Sequence, residues 1–329
     1  MKAIKILTMA ALATAVFASC SNDEDLAQSN YPMDNVVRIM TSVDGMNTRA
    51  SYGNSTDKLN SFGFCINNAG SDKYTYDNIK VTKEGNNWNP ATQMLWQNST
   101  TAVDILAYAP YQETTEDASG KVKVFGKTDY AFSVKEDQSN AEDYSSDLIV
   151  YKQTGFKPGT ELNTSKAVDV TFTHLLSQLN LTIELRDQFN QDEKKPVTSA
   201  TVTDVKVDGT FIRSKVNFAA DPISVLRDGQ ASAAITPETV AFKKADKTTD
   251  HATFKYSAIV IPQKVIAGQL CIKFKVDGTD YIWTGTSDVE FVSGKKYDLL
   301  LLVGKDVVQG SVITARPWGE ETIIEKETD

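Results

Sequence analysis

Few residues in this 329-residue chain are of types that do chemistry. There are two histidines, His174 and His251, and three cysteines, Cys20, Cys65 and Cys271. That supply is too small and too scattered for a structural zinc site or a disulfide framework, whose ligands come in closely spaced sets. No metal and no cofactor is expected. His174 follows Phe172 and Thr173 at the end of an alternating stretch, where a hydrogen-bonded histidine at a strand break is a better reading than a general base. His251 closes the polar segment 243–251 and reads as a loop residue. With 43 Asp and Glu residues, no carboxylate pair stands out for glycoside hydrolysis, which depends on a separation that sequence does not give. Phosphate loops, His-Glu-x-x-His, Gly-x-Ser-x-Gly and calcium-loop spacing are absent. Trp88, Trp96 and Trp283 offer a sugar platform, but each lies among strand residues where core packing is the default. The residues point to a structural or binding module, not an enzyme.

The clearest chemical signature is at the N-terminus. Lys2 and Lys5 precede the uncharged, largely apolar stretch 6–17, which is too short to span a bilayer and reads as a secretory signal. It ends Phe17-Ala18-Ser19-Cys20, the pattern of a lipobox whose cysteine is acylated and becomes the new N-terminus; the alternative is an ordinary small-residue cleavage site. Acylation at Cys20 converts a soluble chain into an anchored one, at about 0.8 kcal/mol per buried CH₂. The following Ser21-Asn22-Asp23-Glu24-Asp25 resembles the surface-export signal of bacterial lipoproteins; as a short acidic run it also reads as a solvated tether, and the two are compatible. Loss of residues 1–19 removes two lysines and no acid, taking the net charge from −9 to −11. Such a balance offers no basic patch for nucleic acid.

What must position any site is an all-β body. No stretch after residue 30 keeps a helical period over three turns. Short β-branched and aromatic runs recur between Gly, Asn and Asp, as in β-sandwiches. Strands are predicted at 36–43, 59–66, 78–82, 102–108, 122–125, 130–134 and 147–152 in the first half. In the second half they fall at 168–172, 179–185, 256–261, 297–303 and 307–315. Asp208-Gly209 and Asp277-Gly278 each predict a two-residue hairpin turn, since Asp and Gly tolerate positive φ. Short helical turns are expected near 135–143 and 174–177. Cys271 is expected on the strand face that carries Lys273 and Lys275, unpaired with Cys65. The Gly-, Pro- and Ser-containing segment 154–166 reads as a boundary. The expected organisation is a signal peptide at 1–19, a tether at 20–35, and sandwich domains at 36–160 and 161–329.

Several patterns occur in a telling order: the lipobox at Cys20, Asn47-Thr48-Arg49-Ala50, Trp96, Ala107-Tyr108-Ala109-Pro110 and Asp147-Leu148-Ile149. They continue with Phe172-Thr173-His174-Leu175-Leu176-Ser177, Ile259-Val260-Ile261-Pro262-Gln263, Gly294-Lys295-Lys296-Tyr297 and Pro317-Trp318-Gly319. In this the chain resembles the fimbrillin (Mfa-like) family of Bacteroidales, the lipoprotein-derived subunits of type V pili. The resemblance implies two transthyretin-like β-sandwiches and export to the outer-membrane surface. It further implies cleavage by an Arg-specific protease after the first strand, here at Arg49–Ala50, and a place in the fimbrium after processing.

Losing residues 20–49 would strip the strand at 36–43, on which Val37, Ile39, Thr41 and Val43 share one face. A strand from another subunit would then fill the groove by donor-strand complementation. Repeated head to tail, that contact makes an open fibre. The candidate donor is 307–318 or the tail to 329, carrying Val308, Val312, Ile313 and Trp318. The expected partners are other fimbrillin subunits, the membrane through the lipid, and a host or bacterial surface ligand. The alternatives are a permanently anchored glycan- or protein-binding module, including a fimbrial anchor or tip, and, more remotely, a hydrolase with an unrecognised carboxylate pair.

Overall fold

The computed structural model describes residues 30–43, 56–113, 124–190, 195–229, 232–245 and 250–318. Cys20, Arg49 and Ala50 lie outside them. One seven-stranded sheet runs, edge to edge, through Ile39–Val43, Val168–His174, Ile149–Phe156, Val103–Ala109, Ser61–Asn67, Tyr76–Glu84 and Asn87–Pro90. Its central strands Ser61–Asn67 (SFGFCIN) and Val103–Ala109 (VDILAYA) are buried almost continuously, because both faces of the sheet are covered. Phe62, Phe64, Ile105 and Ile149 face one core with Val37, Val168, Val170 and Phe172. Cys65, Leu106, Tyr108 and Val150 face a second core shared with the C-terminal half.

That half is built on a second sheet ordered Glu238–Lys243, Ala252–Val260, Ser177–Leu185, Lys295–Val303 and Val308–Gly310, with Thr314–Pro317 also on Lys295–Val303. Smaller sheets cover it. Val202–Asp208, Cys271–Val276 and Thr279–Thr284 form one, and Tyr130–Ser133, Arg213–Asn217 and Ser224–Arg227 another.

The division expected at 160/161 runs through the first sheet. Segment 154–166 is the tail of a strand, one helical turn at Pro158–Glu161 and a return into the same sheet. The chain changes sheets later, at Leu175 and Leu176, between Val168–His174 and Ser177–Leu185. Conversely, Tyr130–Ser133 pairs with Arg213–Asn217 in the second half.

Other expectations are corrected by local chemistry. Asp277-Gly278 closes a hairpin with φ of +53° and +86°, pairing Val276 with Thr279. Asp208-Gly209 does not: Val202–Asp208 pairs with Cys271–Val276 instead. Gly209 is still required there, since its φ is +87° and a Cβ would in addition lie 1.9 Å from the Gln269 carbonyl oxygen.

No helix forms at 135–143, because Asp137, Asn140 and Asp143 turn their side-chain oxygens onto backbone N–H groups two residues ahead. None forms at 174–177, where Leu175 N–H donates to the Leu148 carbonyl. Within the strand expected at 122–125, the N–H groups of Val124 and Phe125 donate to the Asp77 carboxylate rather than to a ladder. Cys65 is buried and Cys271 half-buried, both as thiols.

Candidate functional site

The strand at the N-terminal edge has one sheet neighbour. Ile39–Val43 lies parallel to Val168–His174, in register from Ile39 beside Val168 to Val43 beside Phe172. Just before it, Val36 bridges Leu95, and Val37 N–H donates to the Met94 carbonyl at 3.0 Å. Val37, Ile39 and Val43 are buried. Thr41 shares their face, its Oγ1 without a hydrogen-bond partner among the described residues. Met40 and Ser42 face outward, Ser42 sharing a 3.0 Å hydrogen bond with Thr171. At the strand's entrance Asp34 accepts from Arg38, which holds its carboxyl down at about 2.

The neighbour depends on this strand. On its other side Val168–His174 has only two paired positions, Ile149 with His174 and Val150 with Thr173. Taking away 36–43 would leave unpaired N–H and C=O groups along most of Val168–His174. It would also vacate three aliphatic sites, which at about 1.5–3 kcal/mol each is on the order of 5–9 kcal/mol of burial.

The C-terminal segment is seated on its own sheet as two short ladders against Lys295–Val303. Val308–Gly310 pairs with Leu301–Val303, and Thr314–Pro317 with the start of the same strand. Between them the chain bulges, and Val312 is 87% exposed while Val308 and Ile313 are half-buried. Trp318, only 4% exposed, stacks on His174 with ring centroids 4.0 Å apart and planes at 11°. His174 Nδ1 is 3.0 Å from Asp147 Oδ1, and both side chains are wholly buried. Lys296, 1% exposed, stands 5.5 Å from the Trp318 ring. Burial first, then the Arg316 charge, lowers its pKa to about 8. Trp318 N–H also donates to the Gly294 carbonyl, and Gly294 N–H to that of Leu176.

Asp147, His174, Lys296 and Trp318 thus close one joint between the two sheets. They come from four motifs spread over 172 positions of chain. The sequence reading selected Trp318 as a donor residue and His174 as a strand-break residue; it did not bring Asp147 and Lys296 to them. His251, read as a loop residue, bridges Glu184 at 2.6 Å and Asp187 at 2.9 Å. Trp96 is core, stacked on Phe156, whereas Trp88 and Trp283 are half-buried beside clefts. Among the described residues no group of three or more His, Cys, Asp or Glu side chains could hold a metal ion.

The profile of a family described as fimbrillin-like matches residues 48–318. A search of curated proteins finds no match. Among solved structures, one described as a candidate cell adhesion protein from Bacteroides uniformis is similar, with 20% identity and a TM-score of 0.57. It is covered over 99% of its length by 87% of this chain. A second candidate cell adhesion protein, from Bacteroides ovatus, has 12% identity and a TM-score of 0.60 at the same coverages. At these identities the likeness is one of fold.

Proposed function

Because the chain belongs to the fimbrillin-like family, we propose that it is a fimbrial subunit made ready for assembly by losing its N-terminal edge strand. The family's work is structural and adhesive, at the cell surface, and not enzymatic. In this reading Cys20 carries the lipid that takes the precursor to the outer membrane. Cleavage at Arg49–Ala50 releases it. The boundary between the two sandwiches falls at Leu175 and Leu176.

One observation carries the proposal. The strand upstream of Arg49 sits at a sheet edge, and its neighbour has little other pairing. A strand so placed leaves without unthreading the sheet, and the slot it vacates accepts an extended segment from another subunit. Val308, Val312, Ile313 and Trp318 belong to the segment we assign as donor.

A specific observation favours a second reading. Segment 308–318 is already paired with Lys295–Val303 and pinned by Trp318, so donation requires its release. A permanently anchored surface module, or an anchor or tip subunit, would keep it in place. N-terminal sequencing of the surface-shed polymer separates the two. A polymer beginning at Ala50 supports the shaft role; a lipid-linked Cys20 as the sole form overturns it.

A further inference from the structure

Between the first strand and the far edge of the same sheet lies a cleft of about 760 Å³. Segment 36–41 forms one wall and segment 86–90 the other, with Met94 and Ala167 below. The volume lies within the roughly 300–1,000 Å³ of small-ligand sites. Trp88 lines it, half-buried, one side of its indole meeting Phe62 edge-on at 5.0 Å.

Of the cations in the cleft, Arg38 is paired with a carboxylate and Lys83 is held on a backbone carbonyl. Arg38 donates to Asp34, and Lys83 Nζ donates to the Thr56 carbonyl at 2.9 Å, 5.8 Å from the Trp88 ring. Asp57 has a partner as well. The amides are not engaged. Asn86, Asn87 and Gln93 are exposed, and their side chains have no hydrogen-bond partner among the described residues. Asn89 alone is used, donating to Glu84 at 2.7 Å.

We propose that this cleft binds a neutral saccharide. An indole face carries partial negative charge and attracts the polarised C–H groups of a pyranose. Each free amide offers a donor and an acceptor together, which suits neighbouring hydroxyls. Arg38 is neutralised by Asp34 and Lys83 is held on the Thr56 carbonyl, so recognition falls chiefly to the amides and the indole. An extended peptide is the rival occupant; its backbone can pair with the amides, but it brings no ring of polarised C–H groups to the indole.

One wall belongs to the strand assigned above for removal. That part of the proposal, the dependence of the site on processing, rests on cleavage after Arg49. The cleft in the uncut chain does not.

The test uses the full chain on an array of neutral, sialylated and sulfated oligosaccharides, with extended peptides as comparators. Neutral glycans are expected to be retained. N87A/Q93A, which alters two exposed side chains, is expected to lower affinity about tenfold through the loss of two hydrogen bonds. W88F, which keeps the packing on Phe62, should lower it as well. Retention of anionic glycans or peptides alone, no glycan binding, or unchanged affinity in N87A/Q93A overturns the site. The form beginning at Ala50 is expected to lose the sugar, and retention by it overturns the role of 36–41 as a wall. Polymer formation is scored separately, so a failed sugar site and a failed fimbrial reading give different results.

Discussion

Lys296 shows what a single buried charge does to this molecule. The folded state lowers its pKa to about 8, through burial first and then the Arg316 guanidinium nearby. Between that value and the ordinary 10.5 the unfolded chain therefore holds more protons on this lysine than the folded one. Stability from this residue accordingly rises as the pH climbs through that window, and the charged form costs stability below it. Lys296→Met removes the titrating group while keeping an unbranched side chain, one atom shorter, beside Trp318. In urea unfolding across pH 7–10, the difference between variant and parent should narrow as the pH rises; a constant difference would count against it. Cys65 works in the opposite sense, since burial and the Asp77 charge raise its thiol and the folded state opposes ionisation there. The comparison with Lys296→Met isolates one from the other.

Among the elements, the C-terminal edge is held by short ladders. Val308–Gly310 has three paired positions, and Gly310 passes so close to Trp283 that a Cβ would lie 2.2 Å from its Nε1. Gly310→Ala should cost about 1–3 kcal/mol by overpacking, and lifting this short ladder is the cheapest relief. Hydrogen exchange at 308–310 is expected to quicken while Ser177–Leu185 stays protected; unchanged exchange at both would contradict this.

The two Asp-Gly pairs mark where sequence was readable. At 277–278 the dipeptide and the alternation around it agreed, and the hairpin formed. At 208–209 glycine again takes a positive φ, but the strand it follows pairs elsewhere and a carbonyl remote in sequence packs against it, which no local pattern encodes. The edge strand was legible by its alternation, although regular pairing starts at Ile39 rather than Val36. The joint was not: a lysine at a core position breaks the usual rule of burial, and its partners are remote in sequence. Segment 154–166 misled because a turn within one sheet and a linker between sandwiches use the same residues.

At the scale of the whole molecule, the processing proposed here would change both size and charge. Cleavage after Arg49 leaves 280 residues with a net charge of −8, since residues 20–49 carry five acids and two arginines. Held monomeric by dilution, the form beginning at Ala50 should be less stable to denaturant than the uncut chain. The loss should be several kcal/mol, on the order of the 5–9 kcal/mol of aliphatic burial given up. A synthetic peptide of residues 30–43 should restore it, and equal stability of the two forms would argue against a load carried by the first strand.

The joint around His174 also bears on how the chain is made. Its aromatic lid, Trp318, is synthesised 144 residues after the histidine that it covers. Until that tryptophan arrives, a buried histidine–aspartate pair lies open and the two sheets lack their clasp. Closure of the seam thus reports that the chain has been made at least as far as Trp318, and any product stopping short of it lacks the ring that covers His174.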